Sequence, residues 1–179
     1  MSGSDKAFGE LYKNYTQFLY EYGMRFTSDS DLVKDCIHDL FLKIYKQRKT
    51  LIRPANIKVY LLVSLKNQLL NVLKQSSRYQ QSDDEEGFFS FSLSVEEEYI
   101  EDERQRMERQ LVDSFLSVLS PRQKEVIYYR YLQELSIQDI CLLMNINYQS
   151  AQNLIQKALS NLRSRHNIPL LLPFLILCS

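Results

Sequence analysis

Six polar residues follow one another at helical spacing near the end of the chain: Gln149, Ser150, Gln152, Asn153, Gln156 and Lys157. Carboxamides carry a donor and an acceptor side by side, which matches the N7 and N6 edge of adenine, and a lysine beside them suits a phosphate. The competing reading is a solvated helix face. A second cluster, Lys46, Arg48, Lys49 and Arg53, places four cations within eight residues, the density that attracts a phosphate backbone in a salt-dependent way. A third feature is Asp35 and Asp39, one helical turn apart beside Leu40 and Phe41, a carboxylate and apolar patch suited to a basic partner helix. Covalent chemistry has no comparable support. The sequence holds no G-x-x-x-x-G-K-[ST] and no Gly-rich dinucleotide turn. Ser164, His166 and Asp139 are the residue types of a hydrolytic triad, but nothing in their spacing brings them together. Cys36, Cys141 and Cys178 are widely separated and lie in no CxxC, so neither a zinc site nor a disulfide framework is expected, and a reducing compartment fits. No cofactor, metal or small-molecule substrate is expected.

The elements that must present these residues are helices. The chain of 179 residues has room for one ordinary domain or two small ones. Four Gly and four Pro are too few for the turns of a many-stranded β-sandwich or barrel. Formal charge is zero overall but unevenly placed: residues 1–75 carry +5, residues 76–110 carry −7 and residues 111–179 carry +2. Two mildly basic blocks therefore flank an acidic segment whose first half is rich in Ser, Gln, Asp and Glu, the composition of a linker. That negative charge either solvates a spacer or competes with nucleic acid for the basic faces.

Apolar spacing predicts the individual helices. Phe8, Leu11, Tyr12, Tyr15, Leu19, Tyr22 and Phe26 form one stripe; Val33, Cys36, Ile37, Leu40, Phe41 and Ile44 form another. Residues 28–31 supply capping chemistry between them. Pro54 and Asn56 announce a third helix over about 57–75, apolar on more than one side, so three helices pack as a small bundle. Beyond the acidic segment, Ser120-Pro121-Arg122-Gln123 reads as a capping box with Pro at the first helical position. Ser136 with Asp139 repeats the pattern, and Asn147 caps a last helix whose buried stripe is Ala151, Leu154, Ile155, Ala158 and Leu162. A short helix joined to a longer one through Asn145-Ile146-Asn147 is either a helix-turn-helix or a plain αα-hairpin.

Taken in order, three segments resemble the extracytoplasmic-function (ECF) class of RNA polymerase sigma factor, in the sigma-70 family. FGELYKNYTQFLYEYGMRFTSDSDLVKDCIHDLFLKIYKQR is similar to the start of sigma region two. NIKVYLLVSLKNQLLNVLKQ is similar to its promoter-reading helix. LSPRQKEVIYYRYLQELSIQDICLLMNINYQSAQNLIQKALSNLR is similar to region four. The resemblance implies an all-α chain: region two over 1–78, an acidic flexible linker over 79–105, a region-four helix-turn-helix over 106–166 and an apolar tail over 167–179. It implies core RNA polymerase and promoter DNA as partners and a membrane-linked anti-sigma factor, for a protein that is monomeric when free. Polymerase docking falls to Asp35, Asp39, Leu40 and Phe41, with a core role as the competing reading for Leu40 and Phe41. Minus-ten contacts fall to Lys49, Arg53, Asn56, Lys58, Tyr60, Asn67, Asn71 and Lys74, where exposed bases are held after strand opening. A core role competes with base stacking for Tyr60, and a solvated face is the competing reading for the lysines. Minus-thirty-five contacts fall to Gln149, Ser150, Gln152, Asn153, Gln156 and Lys157.

Several positions depart from the family pattern. His38 stands in place of Gln, Tyr60 of Trp and Asn71 of Asp, and Lys74-Gln75 replaces a more basic run. Gln152 and Leu154 stand where relatives often carry Lys and Arg, which predicts weaker and less salt-sensitive duplex binding, with Arg130, Arg163 and Arg165 as flanking compensation. A helix-turn-helix regulator that works without polymerase is the alternative function, and a helical interaction protein is a third. The N-terminal block weighs against the regulator because it lacks the alternating strands of a receiver domain. The start of the chain has no apolar core for a signal peptide, so a cytoplasmic location is expected. The tail HNIPLLLPFLILCS is too short to span a bilayer; it packs on region four, docks a partner or touches a membrane.

Overall fold

The computed structural model describes residues 2–48, 54–75, 89–90 and 112–166, with side chains from residue 5 to residue 164. Every regular element among them is helical. Most of the acidic segment and the apolar tail lie outside the described residues. The chain divides into two compact units, residues 1–85 and 86–179.

The first unit holds α1 (Ser2–Gly23), α2 (Ser30–Gln47) and α3 (Ile57–Gln75), each packed on the other two. α2 begins where it does because Asp29, in extended conformation, caps it: one carboxylate oxygen accepts from the N–H groups of Asp31 (3.2 Å) and Leu32 (3.0 Å). Its buried side chains are the predicted stripe, Val33, Cys36, Ile37, Leu40, Phe41 and Ile44. α3 starts at the predicted cap, with Asn56 Oδ1 accepting from Val59 N at 3.3 Å. It buries Leu61, Leu62, Leu65 and Leu69 completely, which is why its apolar residues cover more than one side. Gly23 sits where α1 meets α2, and a Cβ there would fall 2.5 Å from Val33 Cγ1, so no larger residue fits without displacing the α2 stripe. The α1 stripe is uneven. Leu19, Tyr22 and Phe26 are buried, whereas Tyr12 is 41 % exposed, with its ring centre 4.8 Å from that of Phe41.

The second unit contains a helical stretch at 112–116 (α4), α5 (Pro121–Ile127), α6 (Ile137–Met144) and α7 (Tyr148–His166). The Ser120 capping box is complete: Ser120 Oγ accepts from Gln123 N at 3.3 Å and Gln123 Oε1 accepts from Ser120 N at 3.1 Å. α5 runs into a π-helical turn, Tyr128–Leu132, where Gln133 N donates to Tyr128 O at 3.0 Å. Apolar periodicity did not foresee that widening. It turns both Tyr128 and Tyr129 inward at adjacent positions, and the Tyr129 hydroxyl donates to Glu125 Oε1 at 2.9 Å inside the core. Glu134, between the π-helical turn and α6, has a positive φ of 54°.

Phe89 changes the picture of the acidic segment. It is 4 % exposed and its ring lies 5.5 Å from that of Tyr128 and 6.3 Å from that of Tyr129. A residue from the stretch read as a flexible linker thus belongs to the core of the second unit. No helix of the described residues is long and apolar enough to cross a membrane, and none of their side chains cluster as metal ligands.

Candidate nucleic-acid and partner interfaces

Three helix faces carry the residues singled out by sequence, two in the first unit and one in the second. On α2, Asp35 and Asp39 are exposed as expected. Leu40 and Phe41 are not beside them on the surface: they are 3 % and 2 % exposed and form the core against α1 and α3. Their assignment as docking contacts is therefore corrected, because a side chain buried by its own domain has no surface to offer a partner. The helical repeat explains it. Positions 35, 38, 39 and 42 share one face, so the apolar neighbour of the carboxylates is Leu42, which is 40 % exposed. Asp39 and Leu42 also line one groove with Lys43, Lys46 and Gln47. Counting three, four and seven residues on from Asp35 finds Leu42 in the sequence; proximity along the chain does not. Behind this face, burial pushes the Cys36 thiol above its ordinary value of 9.0, and the charges of Asp39 and Asp35 push it in the same direction.

On α3, Tyr60, Asn67, Asn71 and Lys74 are spaced seven, four and three residues apart, which aligns them on a single stripe. The asparagines and Lys74 are exposed and Tyr60 is half-buried. Tyr60 is thus neither a sealed core aromatic nor a free one. Lys58 departs from the stripe: two residues before Tyr60, it points to the far side, and its Nζ sits 5.1 Å above the Phe18 ring of α1. Asn56 stands at the helix start with its side-chain oxygen engaged as the cap. Lys49 and Arg53 lie outside the described residues. Just before them, Arg48 is held in place: its Cζ is 3.9 Å from the Tyr45 ring centre, its Nη1 donates to Tyr45 O at 2.7 Å, and its Nε is 3.9 Å from Asp5.

On the second unit, Asn145 (φ 50°, ψ 49°) ends α6 in the left-handed conformation, and Ile146 N donates to Cys141 O at 3.1 Å. Asn147 then caps α7 by accepting from Ser150 N at 2.8 Å. The two helices pack on each other across this three-residue connection, a helix-turn-helix arrangement. Ala151, Ile155 and Ala158 face inward, so Gln149, Ser150, Asn153, Gln156 and Lys157 all stand exposed, with Gln152 half-buried among them. The amides are not independent. Gln149 Nε2 donates to Asn153 Oδ1 at 3.1 Å, and Gln152 Nε2 donates to the hydroxyl of Tyr148 at 3.3 Å. Tyr148 is an exposed aromatic on the first turn, beside these amides but outside their polar pattern. Arg130, taken as a flanking phosphate contact, donates to Leu135 O at 2.9 Å and closes the π-helical turn.

Comparison with known families assigns a region to each unit. The description "Sigma-70 region 2" matches residues 11–79, which include α2 and α3, and "Sigma-70, region 4" matches residues 109–162, which include the helix-turn-helix. No curated protein matches the sequence. Among solved structures, the sigma factor RpoE bound to the anti-sigma factor NepR from Bartonella quintana is similar at a TM-score of 0.60 and 18% identity, covering 89% of this chain and 96% of that one. CnrH in complex with the cytosolic domain of CnrY is similar at a TM-score of 0.53 and 18% identity, covering 91% of this chain and 89% of that one. Those two likenesses are of fold; the two matched regions, which together take up more than half of the sequence, carry the assignment that this chain belongs to the sigma-70 family.

Proposed function

We propose that this protein is a promoter-specificity factor of the ECF class, which recruits core RNA polymerase, reads two promoter elements and helps to open one. The observation that carries this reading is the pairing of a region-two bundle with a helix-turn-helix whose second helix carries six polar residues after an Asn cap, five of them exposed and Gln152 half-buried. Core polymerase docks on the α2 face of Asp35, His38, Asp39 and Leu42, where two carboxylates lie on one side of an exposed apolar side chain and Lys43 and Lys46 lie on the other. The α3 stripe of Tyr60, Asn67, Asn71 and Lys74 meets the minus-ten element. It offers a half-buried aromatic ring for stacking, two amides for base edges and a cation for phosphate; Lys49 and Arg53 supply further phosphate attraction. The first two turns of α7 read the minus-thirty-five element in the major groove.

No covalent step belongs to the protein itself: binding the exposed bases offsets the loss of pairing and stacking. An anti-sigma factor is a fitting regulator, since the two solved structures described above are of complexes, with NepR and with the cytosolic domain of CnrY. The deciding experiment is a pull-down of core polymerase by the full chain, followed by sequencing of transcript starts. Co-purification with one promoter class supports the proposal. Tight, specific duplex binding with no retention of polymerase would favour a helix-turn-helix regulator instead.

A further inference from the structure

Tyr148 lies outside the fully buried stripe of α7. The buried face of α7 is Ala151, Ile155 and Ala158, while Tyr148 is 48 % exposed on the first turn after the Asn147 cap. Its position is four residues before Gln152, so the two side chains lie on the same face one turn apart. The hydroxyl accepts from Gln152 Nε2 at 3.3 Å. A glutamine amide has two N–H donors and one acceptor oxygen. With one N–H engaged by the hydroxyl, the other N–H and Oε1 are left, and their places are fixed instead of exchanging by rotation of the amide. Adenine presents the complementary pair in the major groove, N7 as acceptor and N6–H as donor. A free glutamine must be ordered on binding, and ordering a flexible side chain weakens recognition. The neighbouring Gln149–Asn153 bond does not reach Gln152, so the hydroxyl of Tyr148 is the constraint that acts on this amide.

Resting on the reading that α7 enters the major groove, we propose that Tyr148 is a positioning residue for base recognition: its hydroxyl orients the Gln152 amide and thereby sets an adenine preference at the base pair Gln152 meets. The hydroxyl, acting as acceptor toward Gln152, keeps its own proton for a phosphate oxygen or a second base edge.

The test uses the full chain assembled with core polymerase, on a promoter library randomised through the upstream element, with selected sequences counted before and after transcription. Wild type, Tyr148→Phe, Gln152→Ala and the double variant are compared. Tyr148→Phe keeps the ring and removes only the hydroxyl. Expected is a loss of adenine discrimination of about two- to tenfold at one base pair, the scale set by ordering one flexible side chain. Gln152→Ala should abolish preference at the same base pair, and the double variant should match Gln152→Ala alone, because a positioning residue has nothing to act on once the amide is gone. An unchanged preference in Tyr148→Phe, or an equal loss across all sequences, overturns the proposal. If Gln152→Ala still alters one base pair in that case, the groove reading stands without the relay. If neither variant alters any base pair, the groove reading fails together with it.

Discussion

Asn161 Nδ2 donates to Gln123 Oε1 at 3.2 Å across 38 residues of sequence, and the same oxygen completes the capping box by accepting from Ser120 N. One atom thus joins the start of α5 to the later turns of α7, the helix whose first turns carry the amide face. The bond acts as a brace toward the far end of α7. Asn161→Ala removes one hydrogen bond and should lower the stability of the second unit by about 1 kcal/mol. Gln123→Ala removes that bond and opens the cap as well, so it should cost about 2 kcal/mol. Urea midpoints followed by circular dichroism check the order; equal effects would mean that the cap and the brace do not share the oxygen.

Phe89 gives a sharper test of where the second unit begins. It is buried against Tyr128 and Tyr129, some twenty residues before the region-four match starts at residue 109. Truncating a buried Phe costs about 3 kcal/mol or more, so Phe89→Ala should lower the unfolding midpoint of the second unit and leave that of the first unchanged. The near-ultraviolet tyrosine signal should shift with it. A fragment starting at 106 should be less stable than one starting at 86 for the same reason.

Much of this was legible in the amino-acid sequence. The caps at Asn56, Ser120, Ser136 and Asn147 and the buried stripe of α2 follow from local rules that act within one or two turns; of the α7 stripe, Ala151, Ile155 and Ala158 are buried and Leu154 and Leu162 are half-buried. What was misread depended on contacts between elements. Leu40 and Phe41 neighbour Asp39 in sequence but lie on the buried face; only the helical repeat carried through to Leu42 separates the two sides. Phe89 sits in a stretch whose composition is polar and acidic, and composition cannot report that one aromatic in it meets a pair of tyrosines distant in sequence. That pair is turned inward by a π-helical widening, which has no apolar period to announce it.

Cys36 predicts a response to alkaline pH. Its thiol is raised above 9.0 by burial and, less strongly, by Asp39 and Asp35. Well below 9.0 the thiol is neutral in both folded and unfolded chains. As pH rises past it the unfolded thiol ionises first, so the folded chain holds the extra proton and stability falls. The first unit should therefore lose stability more steeply above pH 9.0 in wild type than in Cys36→Ala, measured as urea midpoints on either side of that pH. Equal slopes would remove the coupling. At neutral pH the same burial should make the thiol slow to react with alkylating reagents.

The corrected α2 face separates binding from folding. Charge reversal at Asp35 and Asp39 changes exposed side chains, where surface substitutions leave stability within about 0.5 kcal/mol, yet it inverts the charge offered to a basic partner. Leu42→Glu should likewise spare the fold, since that side chain is already 40 % exposed, while removing the apolar centre of the patch. Leu40→Ala should do the opposite. It empties a core position and should cost about 2–5 kcal/mol, with polymerase affinity falling only as far as the folded fraction falls. Thermal melts and polymerase retention measured on the same four preparations distinguish the two classes. Retention that survives both Leu42→Glu and the double charge reversal would move the docking surface off this helix.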